Sequence, residues 1–281
     1  MRYPHEMENV TTAKLPLRSG GEIPIVGLGV WQTGSGEATR TAVSAALRSG
    51  YRHIDTAKIY GNEGDVGAAV RESGVPRDEI FVTTKLWNAD QGYDSALRAF
   101  DASLARLGLE YVDLYLIHWP VPDKREASWR ALEKIKAAGK AKAIGVSNFL
   151  VDHLEQLLGG ASELPSVNQI EIHPFLQHRD TRAFCAKHGI VVEAYSPLAR
   201  GRKLADPVIV SIAKRIGRTP AHVMLRWGIQ HGLVVLPKSA NPERIADNAR
   251  LFDFALDETT MAELDALEAG HATGWDPRTE K

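Results

Sequence analysis

The 281-residue sequence contains one cysteine, Cys185. No intramolecular disulfide and no cysteine-rich metal site can be built from it, and such sparing use suits a reducing compartment. Cys185 lies in "TRAFCAKHG", a helical pattern, and reads as a small buried apolar residue, with a reactive thiol as the alternative. Charge of either sign is not in excess: 34 basic residues face 35 acidic ones, for a net charge of −1. With no long like-charge run, neither nucleic acid nor an anionic membrane is favoured as a partner. No apolar run approaches the ~18 residues of a membrane-crossing helix. The opening "MRYPHEMENV" lacks the apolar stretch and small-residue cleavage site of a secretion signal. Low-complexity tracts and internal linkers are missing as well. Together these absences predict a cytoplasmic protein, and any basic site must be local.

What is present alternates. After a hairpin (Val10 to Leu17, with "SGGE" as its turn), the strand candidates are "IPIVGLGV", "RHIDTA", "IFVTTKLW", "VDLYLIHW", "AKAIGVSN", "SVNQIEI", "IVVEAYSP" and "LVVLPKS". They are rich in Val and Ile and apolar on both faces, as buried parallel strands are. Amphipathic stretches lie between them. Leu97, Phe100, Leu104 and Leu107 follow helical spacing. Gly50, Gly139 and Gly189 stand where helices end, and Asp257 is placed to cap a late helix, "DETTMAELDALE". Successive strands begin roughly 24 to 32 residues apart, except the last pair, which is the length of a strand, a helix and two loops. The fold class is therefore α/β: a (β/α)8 TIM barrel with an N-terminal β-hairpin and extra helices near the C-terminus. One of "DPVIVSIAKRIG" and "TPAHVMLRWGIQHG" is an insertion. Residues 1–281 are expected to form one domain, with 1–9 a flexible tail.

Active sites of such barrels lie at the C-terminal ends of the strands. Those ends carry Trp31, Asp55, Lys85, His118, Ser147 with Asn148, Gln169 with Glu171, Tyr195 with Ser196, and Lys238 with Ser239, whereas the strand interiors hold few polar groups. Asp55, Lys85 and His118 come from three consecutive strands, and Tyr60 follows Asp55 by five positions. A tyrosine, with an ordinary pKa of about 10, is a slow proton donor near neutrality. A nearby ammonium favours its phenolate and lowers that value. The ammonium must stay charged in a partly buried place, which calls for a carboxylate, Asp55. A neutral His118 can orient a substrate oxygen. These are the parts of a general-acid site for a carbonyl. Singly, each has a plainer reading: a structural ion pair, a packed tyrosine, a core histidine. Their conjunction at one barrel mouth carries the argument.

The motifs "GLGVW", "HIDTAKIYGNE", "TTKLW", "DLYLIHWP", "IGVSNF", "NQIEIHP", "AYSPL" and "LPKSANPERIADN" resemble those of the aldo-keto reductase family, in order and at matching spacings. The resemblance runs from about Thr12 to about Leu267 and is nearest to the bacterial 2,5-diketo-gluconate reductase-like members. It implies a catalytic set of Asp55, Tyr60, Lys85 and His118, with Tyr60 as proton donor, and NADPH as cofactor. It also implies that Ser147, Asn148, Gln169 and Tyr195 bind the nicotinamide and that Gly29, Val30, Ser196, Pro197 and Leu198 bind the cofactor as well. Lys238, Ser239, Ala240, Arg244, Asp247 and Asn248 are implied at the adenosine 2′-phosphate side. Within this set Tyr195 would stack on the nicotinamide, and Ser147, Asn148 and Gln169 would hold its carboxamide. A guanidinium, an ammonium and a hydroxyl suit a phosphate dianion, and Pro242 suits a first helical turn facing it. The substrate pocket is expected to be lined by Trp31, Trp87 and Trp119.

The function expected is NADPH-dependent reduction of aldehydes and ketones, by a monomer acting on a small-molecule carbonyl. "GLGVWQ" begins like a dinucleotide fingerprint, but Gln32 stands where its third glycine belongs. Lys58 departs from the small or apolar residue common at its position and is expected to point to solvent, the alternative being a second charge beside the tetrad. Asp247 replaces a frequent glutamate. Short loops after His118 and Tyr195, and a short C-terminus, predict an open pocket for small or polar carbonyls such as keto-sugars or dicarbonyls. Two other classes stay open: an NADPH-binding regulatory protein, and a metal-dependent barrel hydrolase drawing on His53, His118, His173 and His178. No metal is expected.

Overall fold

A computed structural model describes residues 9–275 and residue 277; the tail expected over 1–9 lies outside these, apart from Asn9. Strands β1 (Lys14–Pro16) and β2 (Glu22–Pro24) pair antiparallel as the expected hairpin. Gly20 and Gly21, at φ of 88° and 75°, supply the left-handed backbone its turn needs.

The other strands are β3 (Leu28–Gly29), β4 (His53–Asp55), β5 (Phe81–Leu86), β6 (Val112–Ile117), β7 (Ala141–Ser147), β8 (Val167–Glu171), β9 (Val191–Tyr195) and β10 (Val234–Leu236). They pair in parallel in chain order within one eight-stranded sheet. The sheet closes on itself. Val26 bridges Val235 in parallel, Gly27 N–H donates to the Val235 carbonyl at 3.0 Å, and Gly29 N–H to that of Pro237 at 3.1 Å. The result is the (β/α)8 barrel expected from the alternation. One expected strand divides. Of "IPIVGLGV", Ile23 and Pro24 belong to the hairpin and only Leu28–Gly29 to the barrel. At Gly27 the chain passes so close to the interior that an added Cβ would lie 2.8 Å from the His53 ring and 2.7 Å from Leu236.

Leu17 and Ile23 of the hairpin segment pack with Phe81, Leu114, Leu116, Val167 and Val234. The hairpin thereby plugs the N-terminal end of the barrel, leaving the opposite mouth as the place for a site. Around the barrel run α1 (Glu37–Arg48), α2 (Glu63–Glu72), α3 (Tyr93–Leu107), α4 (Arg125–Ala137), α5 (Val151–Leu158), α6 (Arg179–Lys187), α7 (Pro207–Ile216), α8 (Pro220–Gln230), α9 (Pro242–Asp247) and α10 (Glu258–Asp265). Both α7 and α8 fall between β9 and β10, which accounts for the long interval there. Asp257 caps α10, accepting from the Thr260 N–H at 2.7 Å.

Phe100 and Leu107 of α3 are buried, with Leu97 and Leu104 packed against the core. Where α2 meets the end of α3, Gly67 permits contact closer than any side chain allows: a Cβ there would sit 1.8 Å from the Leu107 carbonyl oxygen. Cys185 is buried in α6, and burial pushes its thiol up to about 11, which makes it a packed apolar residue. No helix among the described residues is long and apolar enough to cross a membrane.

Candidate active site

Asp55 ends β4, Lys85 is the second-last residue of β5, and His118 follows β6 directly. Tyr60 ends a 3₁₀ turn over Lys58–Tyr60, which the left-handed Gly61 (φ 70°) terminates. The next two residues fix that turn. Asn62 accepts from the Thr56 hydroxyl at 2.7 Å and donates to the Val30 carbonyl at 3.0 Å. Glu63, buried at the start of α2, accepts from the Thr84 hydroxyl and from Arg106, each at 2.6 Å. "YGNE" is therefore a brace as well as a turn: it ties the loop bearing Tyr60 to β5 and α3.

The four candidate residues converge. The Lys85 ammonium, fully buried, donates to both Asp55 oxygens at 2.6 and 2.7 Å and to the Thr56 carbonyl at 3.0 Å. It lies 3.5 Å from the Tyr60 hydroxyl. The rings of Tyr60 and His118 meet edge to face with centroids 5.8 Å apart, and Trp87 meets His118 at 5.3 Å. Burial alone would lower the Lys85 pKa, but Asp55 and Tyr60 outweigh it, so the net direction is upward and the ammonium keeps its charge. His118 is driven well below the usual histidine value by burial and then by Lys85, so its imidazole is neutral. Tyr60 departs from expectation. Lys85 does pull the phenol down, but burial pushes it up more, with Asp55 and Glu193 adding to the rise. The phenol is thus held protonated, with a cation beside it to receive the charge that proton loss leaves.

The nicotinamide-side candidates line the adjacent strand ends. Ser147 donates to the Gln169 carbonyl at 2.8 Å. Asn148 has left-handed backbone (φ 64°), an unusual state for a side chain other than glycine. Its amide donates to the His118 carbonyl at 2.9 Å and accepts from the Tyr195 hydroxyl at 2.8 Å. The Gln169 amide nitrogen bridges two carboxylates, Asp55 at 2.8 Å and Glu193 at 2.6 Å. Gly29 pairs with Asp55 across β3 and β4, and the Val30 N–H donates to the Asp55 carbonyl at 3.1 Å. Ser196 is left-handed (φ 47°) and leads through Pro197 and Leu198 into a tight turn.

At the other side, Lys238, Ala240 and Arg244 are exposed and Ser239 and Asn248 buried. Pro242 opens α9, and Asn241 caps it by accepting from the Arg244 N–H at 3.1 Å. Among the described residues neither Lys238 nor Arg244 has an ion-pair partner. Asp247 lies beside His222 instead, its backbone carbonyl 2.8 Å and its carboxylate 3.5 Å from the imidazole.

The pocket differs from expectation in one respect. Trp31 carries the Arg200 guanidinium over its ring at 4.5 Å, and Trp119 is buried beneath Trp275, centroids 5.6 Å apart. Trp275 itself is 58% exposed, an apolar surface offered to solvent. The segment bearing it is pinned by Glu171, which accepts from the Thr273 N–H and hydroxyl and, at 3.0 Å, from the Gly274 N–H. Burial opposes ionisation of Glu171, but these hydrogen bonds and one from His173 outweigh it and lower its pKa. Sequence reasoning missed Trp275, Arg200 and this strap. The signal available was Glu171 at a strand end.

Lys58 neither points freely to solvent nor joins the tetrad: it pairs with Asp90 of the loop after β5. Among the described residues no group of three His, Cys, Asp or Glu side chains is placed to hold a metal ion. His53 and His173 are buried, each beside one carboxylate.

A family model described as "Aldo/keto reductase family" matches residues 25–269. An aldo-keto reductase of Mycolicibacterium smegmatis is 53% identical, over 95% of this chain and 97% of its own. A glyoxal reductase of Bacillus subtilis is 49% identical, over 93% and 95% respectively. A solved structure of a Gox0644 mutant in complex with NADPH superposes with a TM-score of 0.90 at 44% identity, covering 96% of this chain and 98% of that one.

Proposed function

The chain belongs to the aldo/keto reductase family and is an NADPH-dependent carbonyl reductase; on that premise we propose that it reduces small or polar aldehydes and ketones, with Tyr60 as the general acid. The observation that carries the assignment of roles is the buried Lys85 ammonium, held between Asp55 and the Tyr60 hydroxyl.

The residues present suit the cofactor. Lys238 and Arg244, without ion-pair partners among the described residues, together with Ser239 match a 2′-phosphate dianion, where bidentate and charge-assisted bonds are strong. Ser147, Asn148 and Gln169 would hold the carboxamide, and Tyr195 would lie against the ring. When bound, NADPH supplies the hydride that reduces the carbonyl carbon. The chain's own part is to place the carbonyl oxygen and protonate it. Neutral His118 orients that oxygen. Tyr60 gives its proton to it as negative charge develops, and Lys85 stabilises the phenolate left behind. Asp55 keeps Lys85 charged and in place.

The short loops after His118 and Tyr195 support a wide mouth, which offers large hydrophobic substrates little enclosure. The chain is read as one domain acting as a monomer in the cytoplasm. The test is loss of NADPH absorbance against diketo-sugars, methylglyoxal, aromatic aldehydes, quinones and ketosteroids, with NADH in parallel. Turnover of small dicarbonyls or keto-sugars with NADPH, weakened by Arg244→Ala toward the NADH rate, is expected. Strong preference for ketosteroids would overturn the substrate class, and equal use of NADH by the wild type would overturn the role of Lys238 and Arg244.

A further inference from the structure

Below the tetrad, inside the barrel, lies a second pair of titratable groups that the chemistry above does not use. Glu193 of β9 and His53 of β4 are both fully buried. One Glu193 oxygen, Oε2, accepts from the Gln169 amide nitrogen at 2.6 Å, and that same nitrogen donates to Asp55 at 2.8 Å. The other oxygen, Oε1, has no hydrogen-bond partner and faces His53 Nε2 at 3.5 Å. His53 Nε2 also lies 3.1 Å from the Thr83 hydroxyl. The strand neighbours bring no compensating charge, since Glu193 is registered against Gln169 on one side and the apolar Val234 on the other. Among the described residues the cation that acts on Glu193 is Lys85, which is already taken by Asp55.

An ionised Glu193 would therefore be a second buried negative charge served by a single shared N–H2 group. A carboxylate so placed is costly, and a neutral carboxyl is the ordinary resolution. A hydrogen on Oε1, turned to the imidazole, also gives the unpartnered oxygen an acceptor to meet.

We propose that Glu193 is a positioning residue for the general acid: as a neutral carboxyl over His53 it holds the Gln169 amide, and through it Asp55, in the arrangement that keeps Lys85 available to Tyr60. Loss of its proton sets the alkaline limit of carbonyl reduction. The proposal rests on the reductase reading above. The charge that ionisation adds lies on the Asp55 side of Lys85 and opposes formation of the Tyr60 phenolate, the direction in which Glu193 already acts on that phenol. Burial, then Asp55, push Glu193 up to about 8, while the Gln169 bond and Lys85 pull it down. Burial, with Lys85 as a smaller cause in the same direction, pushes His53 down to about 3, so the imidazole beneath stays neutral throughout.

Two measurements test this. The first is the pH profile of kcat with NADPH for the wild type and Glu193→Gln, which keeps the acceptor for Gln169 and has no proton to lose. One pH unit above about 8, about a tenth of Glu193 remains protonated. The wild-type kcat is expected to fall about tenfold between pH 7 and 9, and that of Glu193→Gln by less than about twofold. An identical alkaline limb in the two proteins overturns the proposal. The second needs neither turnover nor a stable variant. Infrared spectroscopy of the wild type without cofactor should show a protonated, buried carboxyl band at pH 6 that disappears as pH rises through 8. Its absence at pH 6 overturns the proposal, even if no carbonyl in the panel proves to be a substrate.

Discussion

Replacing Lys85 by methionine keeps most of the side-chain length and removes the ammonium. Asp55, 3% exposed, would then retain the Gln169 amide as its side-chain donor. Breaking a buried ion pair by deleting one partner costs about 3–5 kcal/mol, because the charge left behind stays desolvated. Three contacts at 3.0 Å or less are lost here, so the upper half of that range is expected. At ~2–4 °C per kcal/mol for a chain of this size, the melting temperature should drop by roughly 10–20 °C. Turnover should fall further than stability explains, since the phenol loses a cation that favours its ionisation; general-acid catalysis is worth about 10²–10⁴. Urea unfolding followed by tryptophan fluorescence, with NADPH oxidation in parallel, reads both effects. The double variant Lys85→Met/Asp55→Asn separates them. With the stranded charge gone it should regain most of the stability and none of the activity. A single variant destabilised by less than about 1 kcal/mol, or a double variant no more stable than the single, would refute the pairing argument.

Lys58→Ala removes an ion pair that is about one-third exposed on the lysine side, so it should cost less than about 1 kcal/mol and leave kcat within twofold. Gly67→Ala should be among the most damaging single substitutions on the outer face. Its Cβ would fall 1.8 Å from the Leu107 carbonyl oxygen, and the helices must separate to admit it, which urea unfolding would report as a loss of at least about 3 kcal/mol. Glu193 also makes stability depend on pH. Unfolded, it loses its proton near 4.5; folded, near 8. Unfolding between those values releases a proton, so its contribution is full below 4.5 and disappears as pH rises to about 8. Urea midpoints should fall from pH 6.5 to 8 in the wild type, with a smaller slope in Glu193→Gln.

The order of elements was legible because a parallel barrel buries both faces of its strands, which leaves apolar runs at regular spacing. The convergence of Asp55, Tyr60, Lys85 and His118 was legible for the complementary reason, that polar side chains stand out at strand ends. Glu193 escaped notice, and His53 was weighed only as a metal ligand, because both are polar residues inside strands, where their burial and mutual approach depend on barrel closure between residues 140 positions apart. Lys58 was misplaced because its partner, Asp90, belongs to a different loop. The net rise in the Tyr60 pKa could not be read from the sequence either: the sign of each influence was available, but which one prevails depends on depth of burial.

The central claim is that the Tyr60 hydroxyl supplies the proton. Tyr60→Phe removes that one oxygen and leaves Asp55, Lys85 and His118 in place. Its dissociation constant for NADPH, measured by quenching of tryptophan fluorescence, should match the wild type, while carbonyl reduction falls by about 10²–10⁴. Wild-type binding together with near wild-type turnover would contradict the account.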